Sequence, residues 1–239
     1  RIMIQFFAPD IARTLTLPES DSQHCVRVLR MQPGDMLEVT DGAGHRHRCR
    51  LVDAHQKRAL VEIVSTETIL PGWSQEITVC VAPTKHMDRM EWMVEKLTEI
   101  GVNRIVPVLC RHSERKEIKV ERLEKIAVSA MKQSLKARLP QISPMTPVDK
   151  VLSTYSEAQR FICYCDDAVE RRQMSHLYIP STDVCVLIGP EGDFSPQEVS
   201  TALDSGWKPV TLGPERLRTE TAAIVAADTF HIIDQLNQR

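Results

Sequence analysis

The sequence predicts an α/β protein in two parts, a small β-rich domain followed by a larger one built on a mostly parallel sheet. Three observations predict it. Short β-rich runs punctuated by turn formers fill the first seventy residues. The Pro71-Gly72 pair then marks a linker, and from residue 76 apolar runs alternate with segments of helical periodicity. The expected domain limits are 1–70 and 74–239.

In the first part, Met3–Phe7, Met36–Thr40, Arg46–Val52 and Ala59–Val64 read as strands, with turns at Pro33-Gly34 and Asp41-Gly42-Ala43-Gly44. A helix is expected from Ser20 to Leu29, ending in Arg27 and Arg30. Several strands at close spacing suggest a small barrel. In the second part, Ile77–Ala82, Ile105–Leu109, Phe161–Cys165, Val184–Ile188 and Val210–Leu212 read as strands. Met90, Met93, Val94 and Leu97 fall at helical spacing, with Gly101 as a C-terminal stop. Further helices are expected over 120–136, from a Ser195-Pro196-Gln197-Glu198 capping box to about Gly206, and over Thr219–Leu236.

With 239 residues, 42% of them apolar, and only 9 glycines, the chain can bury an ample core. No run of about 18 apolar residues is present, and Asp10 and Arg13 interrupt any signal-like stretch. A soluble cytoplasmic protein is expected, with no membrane partner. Arg1 and Ile2, ahead of Met3, read as an expression remnant. The 7 cysteines include no Cys-x-x-Cys and read as small hydrophobes in a reducing compartment. His45, His47 and Cys49 share one strand face, but Arg46, Arg48 and Arg50 flank them, so an ordinary exposed face is expected and no metal.

The net charge of −2 hides an asymmetry: 111–138 carries nine Lys/Arg against four Glu, while 141–239 carries eight basic against fourteen acidic residues. A basic stretch of this kind fits a polyanion partner, and equally a solvated helix laced with i,i+4 pairs. Two loops stand out as ligand contacts, because open parallel sheets bind ligands where strands end. Val184–Ile188 runs into Gly189-Pro190-Glu191-Gly192-Asp193-Phe194. The strand at 210–212 runs into Gly213-Pro214-Glu215-Arg216-Leu217-Arg218-Thr219-Glu220. The two strands are expected to be neighbours. Dinucleotide, P-loop and Gly-x-Ser-x-Gly signatures are absent from the sequence.

The string Ile188-Gly-Pro-Glu-Gly-Asp-Phe-Ser-Pro-x-Glu198, followed by Leu212-Gly-Pro-Glu-Arg-Leu-Arg-x-Glu-Thr-Ala222, resembles the paired cofactor loops of RsmE-type methyltransferases. Those are 16S ribosomal RNA (uracil-N3)-methyltransferases of the SPOUT superfamily. Lys85 with Arg89-Met90-Glu91-Trp92, Glu95–Gly101, Gln133-Ser134, Arg138-Leu139-Pro140 and Val28-Leu29-Arg30 extend the likeness over the whole chain. Three positions depart from it: Asp193 replaces a common glycine, Glu215 a smaller or differently charged residue, and Lys132 a frequent acid.

The resemblance implies a PUA-like barrel, an α/β trefoil-knot domain, a homodimer, and S-adenosylmethionine as cofactor. It implies cofactor contacts at Ile188, Gly189, Pro190, Glu191, Gly192, Leu212, Gly213, Leu217, Thr221 and Ala222. The implied substrate is 16S rRNA, free or in the small ribosomal subunit. Arg27, Arg30, Lys85, Arg111, Lys116, Gln133 and Arg138 are the candidate RNA contacts. Uracil N3 must lose a proton on methylation, so a group that stabilises developing negative charge is needed. Arg218 is the first candidate. Glu220 is a candidate proton acceptor, or a carboxylate capping the last helix. The alternatives are a non-catalytic RNA-binding protein, an α/β enzyme for a small nucleotide using the first loop as an anion cradle, and a SPOUT enzyme acting on another RNA.

Overall fold

A computed structural model describes residues 4–165 and 170–237. The two residues read as a remnant, Arg1 and Ile2, lie outside them. The chain divides into two compact units, residues 1–72 with 128–139 and residues 73–127 with 140–239. The border between the units falls at 72/73, and the segment 128–139 belongs to the first unit.

The first unit contains β1 (Gln5–Phe7), α1 (Ile11–Thr14), α2 (Glu19–Gln23), β2 (Met36–Thr40), β3 (His45–Asp53) and β4 (Leu60–Thr68). Its strands lie in the order β1-β2-β3-β4, parallel between β1 and β2 and antiparallel thereafter. No direct β4–β1 pairing closes the sheet among the described residues. Instead Leu15–Leu17 runs along β4, with Leu17 N donating to Ala59 O and Val61 N to Leu15 O. The expected barrel is thus a four-stranded sheet extended by one irregular segment.

Phe6, Ile11, Leu17, Val39, Cys49, Leu51 and Val61 form its core. The expected helix over Ser20–Leu29 changes hydrogen-bond register halfway. After Gln23 it widens into a π-turn over His24–Val28, where Leu29 N donates to His24 O. Cys25 stays buried in this turn while Arg27, Val28 and Arg30 face solvent. A second expectation is corrected here. The face carrying His47 and Cys49 is buried, because it is the inward face of β3 and continues into Leu51. No cluster able to hold a metal occurs among the described residues.

Lys132, one of the three departures, donates to Asp21 Oδ1 at 2.7 Å and lies 5.9 Å from the centre of the Phe6 ring. Asp21 also accepts from Phe7 N at 2.7 Å. Lys132 therefore anchors the 128–139 segment to β1 through one half-buried ion pair.

The second unit contains β5 (Ile77–Val81), α3 (Met87–Ile100), β6 (Arg104–Leu109), the first half of α4 (Val120–Gln133), β7 (Gln141–Ile142), β8 (Thr146–Pro147) and α5 (Val148–Thr154). It continues through β9 (Gln159–Cys163), β10 (Arg172–Gln173), α6 (Met174–Leu177), β11 (Val184–Ile188), α7 (Pro196–Asp204), β12 (Lys208–Thr211) and α8 (Thr219–Asn237). The strands form one sheet in the order β10-β12-β9-β11-β5-β6-β7, with β8 beside β6, and every pairing is parallel. β5 and β11 are buried along their whole length, as a parallel strand covered on both faces requires.

The predicted long elements are present. The Ser195 capping box forms as read: Ser195 Oγ accepts from Glu198 N, and Ser195 N donates to Glu198 Oε2 at 2.8 Å. The two-residue strands, α5 and α6 carry too little periodicity to be read locally. One expectation fails in a way that shapes the site. β11 and β12 are not neighbours, since β9 lies between them.

Candidate active site

The placement of β9 brings three strand ends side by side at the carboxyl edge of the sheet. The Gly189–Phe194 loop leaves β11, Tyr164 and Cys165 leave β9, and the Leu212–Arg218 loop leaves β12. Two adjoining cavities of about 300 and 730 Å³ open there. Cys163, Cys165, Asp193, Arg216, Leu217 and Ala222 line both. Ile188, Gly189, Pro190, Glu191, Arg218 and Thr219 complete the smaller one, and Leu212 and Gly213 belong to the larger. A cleft of this size suits a small organic ligand.

The first loop is tied from several directions. Gly189 O accepts from Thr219 Oγ1 at 3.1 Å, so the start of α8 clamps the loop after β11. Gly189 must be glycine, because a Cβ there would stand 2.9 Å from the buried Phe194 ring. Glu191 Oε1 accepts from Lys85 N at 3.1 Å, which fastens the loop to the segment after β5. His112 Nδ1 lies 3.2 Å from Gly192 O and 3.0 Å from Asp193 O.

Asp193 has φ of 60°, the left-handed region that the glycine common at this position in RsmE-type sequences occupies freely. Its Oδ1 accepts from Phe194 N at 2.8 Å and its Oδ2 from Cys165 N at 3.1 Å. The departure from glycine thus keeps the turn and adds a bridge to the end of β9.

The second loop is tied less. Thr211 Oγ1 donates to Gly213 O at 2.8 Å, and Gly213 has φ of 139°. Glu215, Arg216 and Arg218 are exposed. The Arg218 guanidinium has no partner among the described residues, although the residue lines the smaller cavity. Glu220 is buried in the first turn of α8, with Oε1 3.8 Å from Arg89 Nε, and lines neither cavity.

The thiols at the cavity wall are kept protonated. Burial, then the charges of Cys165 and Asp193, push Cys163 up to about 12. Burial and Asp193 also raise Cys165, against Arg171 and Arg216. Neither thiol is an available nucleophile at neutral pH.

Eight of the ten expected cofactor positions therefore meet around the two cavities. Gly192 and Thr221 do not line them. Cys163, Cys165, Asp193, Arg216 and Thr219 join the lining, and His112 supports it from behind. Asp193 was legible only as a departure, and the remaining five carried no signal of their own as site residues.

The candidate RNA contacts fall in two groups. In the first unit, Arg27, Arg30, Gln133 and Arg138 are exposed. Arg27 Nε donates to Gln56 Oε1 at 2.8 Å, and Arg138 pairs through its backbone with Ala43. In the second unit, Lys85 and Lys116 come together around one shallow cavity, with Lys85 Nζ 2.9 Å from Glu114 Oε2. Arg111 is exposed, and its backbone N donates to Glu198 Oε1 at 2.7 Å.

Residues 71–231 match the model of the RNA methyltransferase domain family, and residues 17–64 match the RNA methyltransferase PUA domain. The chain belongs to the RNA methyltransferase family. Its relatives agree within that family. It is 31% identical to the ribosomal RNA small subunit methyltransferase E of Synechocystis sp., over 90% of this chain and 72% of the relative. A probable rRNA-methyltransferase from Porphyromonas gingivalis is 46% identical, with a TM-score of 0.94 over 99% of this chain and 100% of the other. The ribosomal RNA small subunit methyltransferase E of Neisseria gonorrhoeae, solved bound to S-adenosyl methionine, is 28% identical. It has a TM-score of 0.85 over 97% of this chain and 98% of the other. The PUA match thus lies within the first unit, and the paired Gly-Pro loops lie within the methyltransferase match.

Proposed function

We propose that this RNA methyltransferase transfers a methyl group from S-adenosylmethionine to N3 of one uridine in small-subunit (16S) ribosomal RNA. The observation that carries the reading is the convergence of the Gly189–Phe194 and Leu212–Arg218 loops on two adjoining cavities, with Arg218 at the wall. The residues present fit such a cofactor. Gly189 and Gly213 leave backbone groups open to a ligand, Ile188, Leu217 and Ala222 give apolar contact, and Asp193 gives a negative charge. S-adenosylmethionine supplies an electrophilic methyl on a positively charged sulfur.

Everything else falls to the chain. Arg218 is exposed, without a partner among the described residues and placed beside the cavity, so it can grip the target base and stabilise negative charge as N3 releases its proton to solvent. Glu220 acts by holding the start of α8 through Arg89, which keeps Thr219 on Gly189 O and Arg218 at the wall. The exposed groups Arg27, Arg30, Gln133 and Arg138 in the first unit, with Lys85, Arg111 and Lys116 in the second, meet the RNA, and the target base is splayed out to reach the pocket.

The separation of β11 from β12 by the earlier strand β9 supports a C-terminal segment threaded as a trefoil knot. Trp92 on α3 and Ile232 and Leu236 on α8 are exposed apolar side chains on two helices that pack together, which supports a homodimer through this face. Among the described residues no helix is long and apolar enough to cross a membrane, in keeping with a cytoplasmic enzyme on ribosomal particles.

Methyl transfer to small ribosomal subunits lacking the modification, with the product nucleoside located by mass spectrometry, tests the reading. The expected product is one uridine methylated at N3. A methyl on ribose, on another base, or on no RNA overturns it.

A further inference from the structure

Asp193 and Arg216 are the two charged residues that line both cavities. Their situations differ. Arg216 is exposed, whereas the Asp193 carboxylate is fixed by two backbone amides, Phe194 N at 2.8 Å and Cys165 N at 3.1 Å. Among the described residues, the other acids at the cavity walls each line one cavity only: Glu191, held by Lys85 N, the smaller, and Glu215, which is exposed, the larger. Among the described residues Asp193 is therefore the one carboxylate that lines both cavities, and it is held in place at their junction. Its field reaches both thiols at the wall, since it raises Cys163 and Cys165 alike.

We infer that Asp193 makes this pocket charge-selective, favouring the sulfonium cofactor over its neutral thioether product. The inference rests on the cofactor assigned above and adds a regulatory property to that site, relief from product inhibition. S-adenosylmethionine and S-adenosylhomocysteine share every recognition group and differ by one methyl and one positive charge. Glycines and apolar walls bind the two nearly alike, whereas a fixed charge of opposite sign at the cavity wall favours the cation.

Asparagine and glycine both tolerate the left-handed backbone of position 193. Asp193→Asn keeps the size of the side chain without its charge, and Asp193→Gly keeps the turn without any side chain. Calorimetric titration of the full-length protein and both variants with each ligand reads the effect, and thermal melting checks that each variant is folded. Loss of the Cys165 and Phe194 hydrogen bonds alone would weaken both ligands equally. Loss of the charge weakens the cation alone, and the preference for S-adenosylmethionine over S-adenosylhomocysteine is expected to fall about tenfold in both variants. Equal weakening of both ligands, or an unchanged ratio, overturns the inference while leaving the cofactor assignment intact. If Asp193→Asn does not fold, Asp193→Gly decides alone. A wild-type protein that binds neither ligand overturns the proposed function, and this inference with it.

Discussion

The two Gly-Pro loops look alike in sequence and are built in opposite ways. The loop after β11 is held by Thr219, Lys85 N, Cys165 N and His112, partners drawn from four other places in the methyltransferase domain. The loop after β12 is held by Thr211 at its own root and presents Glu215, Arg216 and Arg218 outward. The difference assigns them separate tasks. A loop fixed through side chains suits a preorganised surface for a cofactor, while a loop carrying exposed cations suits an anionic substrate and the charge that develops on it. Substitutions in the first should therefore change cofactor affinity, and substitutions in the second should change turnover.

The largest expected effect is in the second loop. Arg218→Ala removes a cation that lines the smaller cavity only, and among the described residues no hydrogen bond of its side chain supports the fold. Turnover on ribosomal particles should fall by about 10²–10³, the range for losing a group that stabilises developing negative charge. The dissociation constant for S-adenosylmethionine should stay within about threefold, since an exposed guanidinium at the cavity wall is screened by solvent and contributes little to binding. Steady-state kinetics beside calorimetry checks both. Equal losses in turnover and cofactor affinity would move Arg218 from substrate to cofactor and erase the contrast.

Next comes the glycine of the first loop. In Gly189→Ala the new Cβ would press on Phe194, which is 3% exposed and cannot step aside without opening the core beneath α7. Overpacking of this kind costs about 1–3 kcal/mol, and here it falls on the cofactor surface, so affinity for S-adenosylmethionine should drop about tenfold. Gly213→Ala supplies the counterpart. Nothing lies within 4 Å of its Cβ position, so only the backbone at φ of 139° resists. Its penalty should appear as lower thermal stability, read by melting, with a smaller change in affinity.

How much of this could be read beforehand depends on whether a feature is local. The bounds of β11, Val184–Ile188, and the α7 start from Ser195 to Glu198 are legible in the sequence, because apolar runs and capping chemistry act within a few residues. The loops themselves were visible as glycine and proline at strand ends. The order of the strands was not. Parallel pairing joins segments far apart in sequence, so nothing near Phe161 signals that β9 separates β11 from β12. For the same reason Cys163, Cys165 and Thr219 became site residues only in the folded chain. The face of His47 and Cys49 misled through its arginine neighbours, which point away from it and leave its inward side apolar. Lys132 looked like a weakness in the family pattern and is instead the partner of Asp21.

The smallest expected effect tests the clamp that joins the two loops. Thr219 Oγ1 donates to Gly189 O across 3.1 Å, and both residues are buried. Thr219→Val keeps the shape and the β-branch of the side chain but deletes the donor, leaving Gly189 O without its hydrogen bond. A buried carbonyl so orphaned costs about 1 kcal/mol, corresponding to roughly a fivefold weaker hold on the cofactor if the loop moves to recover a partner. Thr219→Ser retains the hydroxyl and should restore most of the affinity. Valine and serine variants that bind S-adenosylmethionine equally well would show that packing alone positions the first loop. A loss in valine that serine rescues would instead place the control of the rigid loop in the helix start that also carries Arg218, coupling the two tasks through one hydrogen bond.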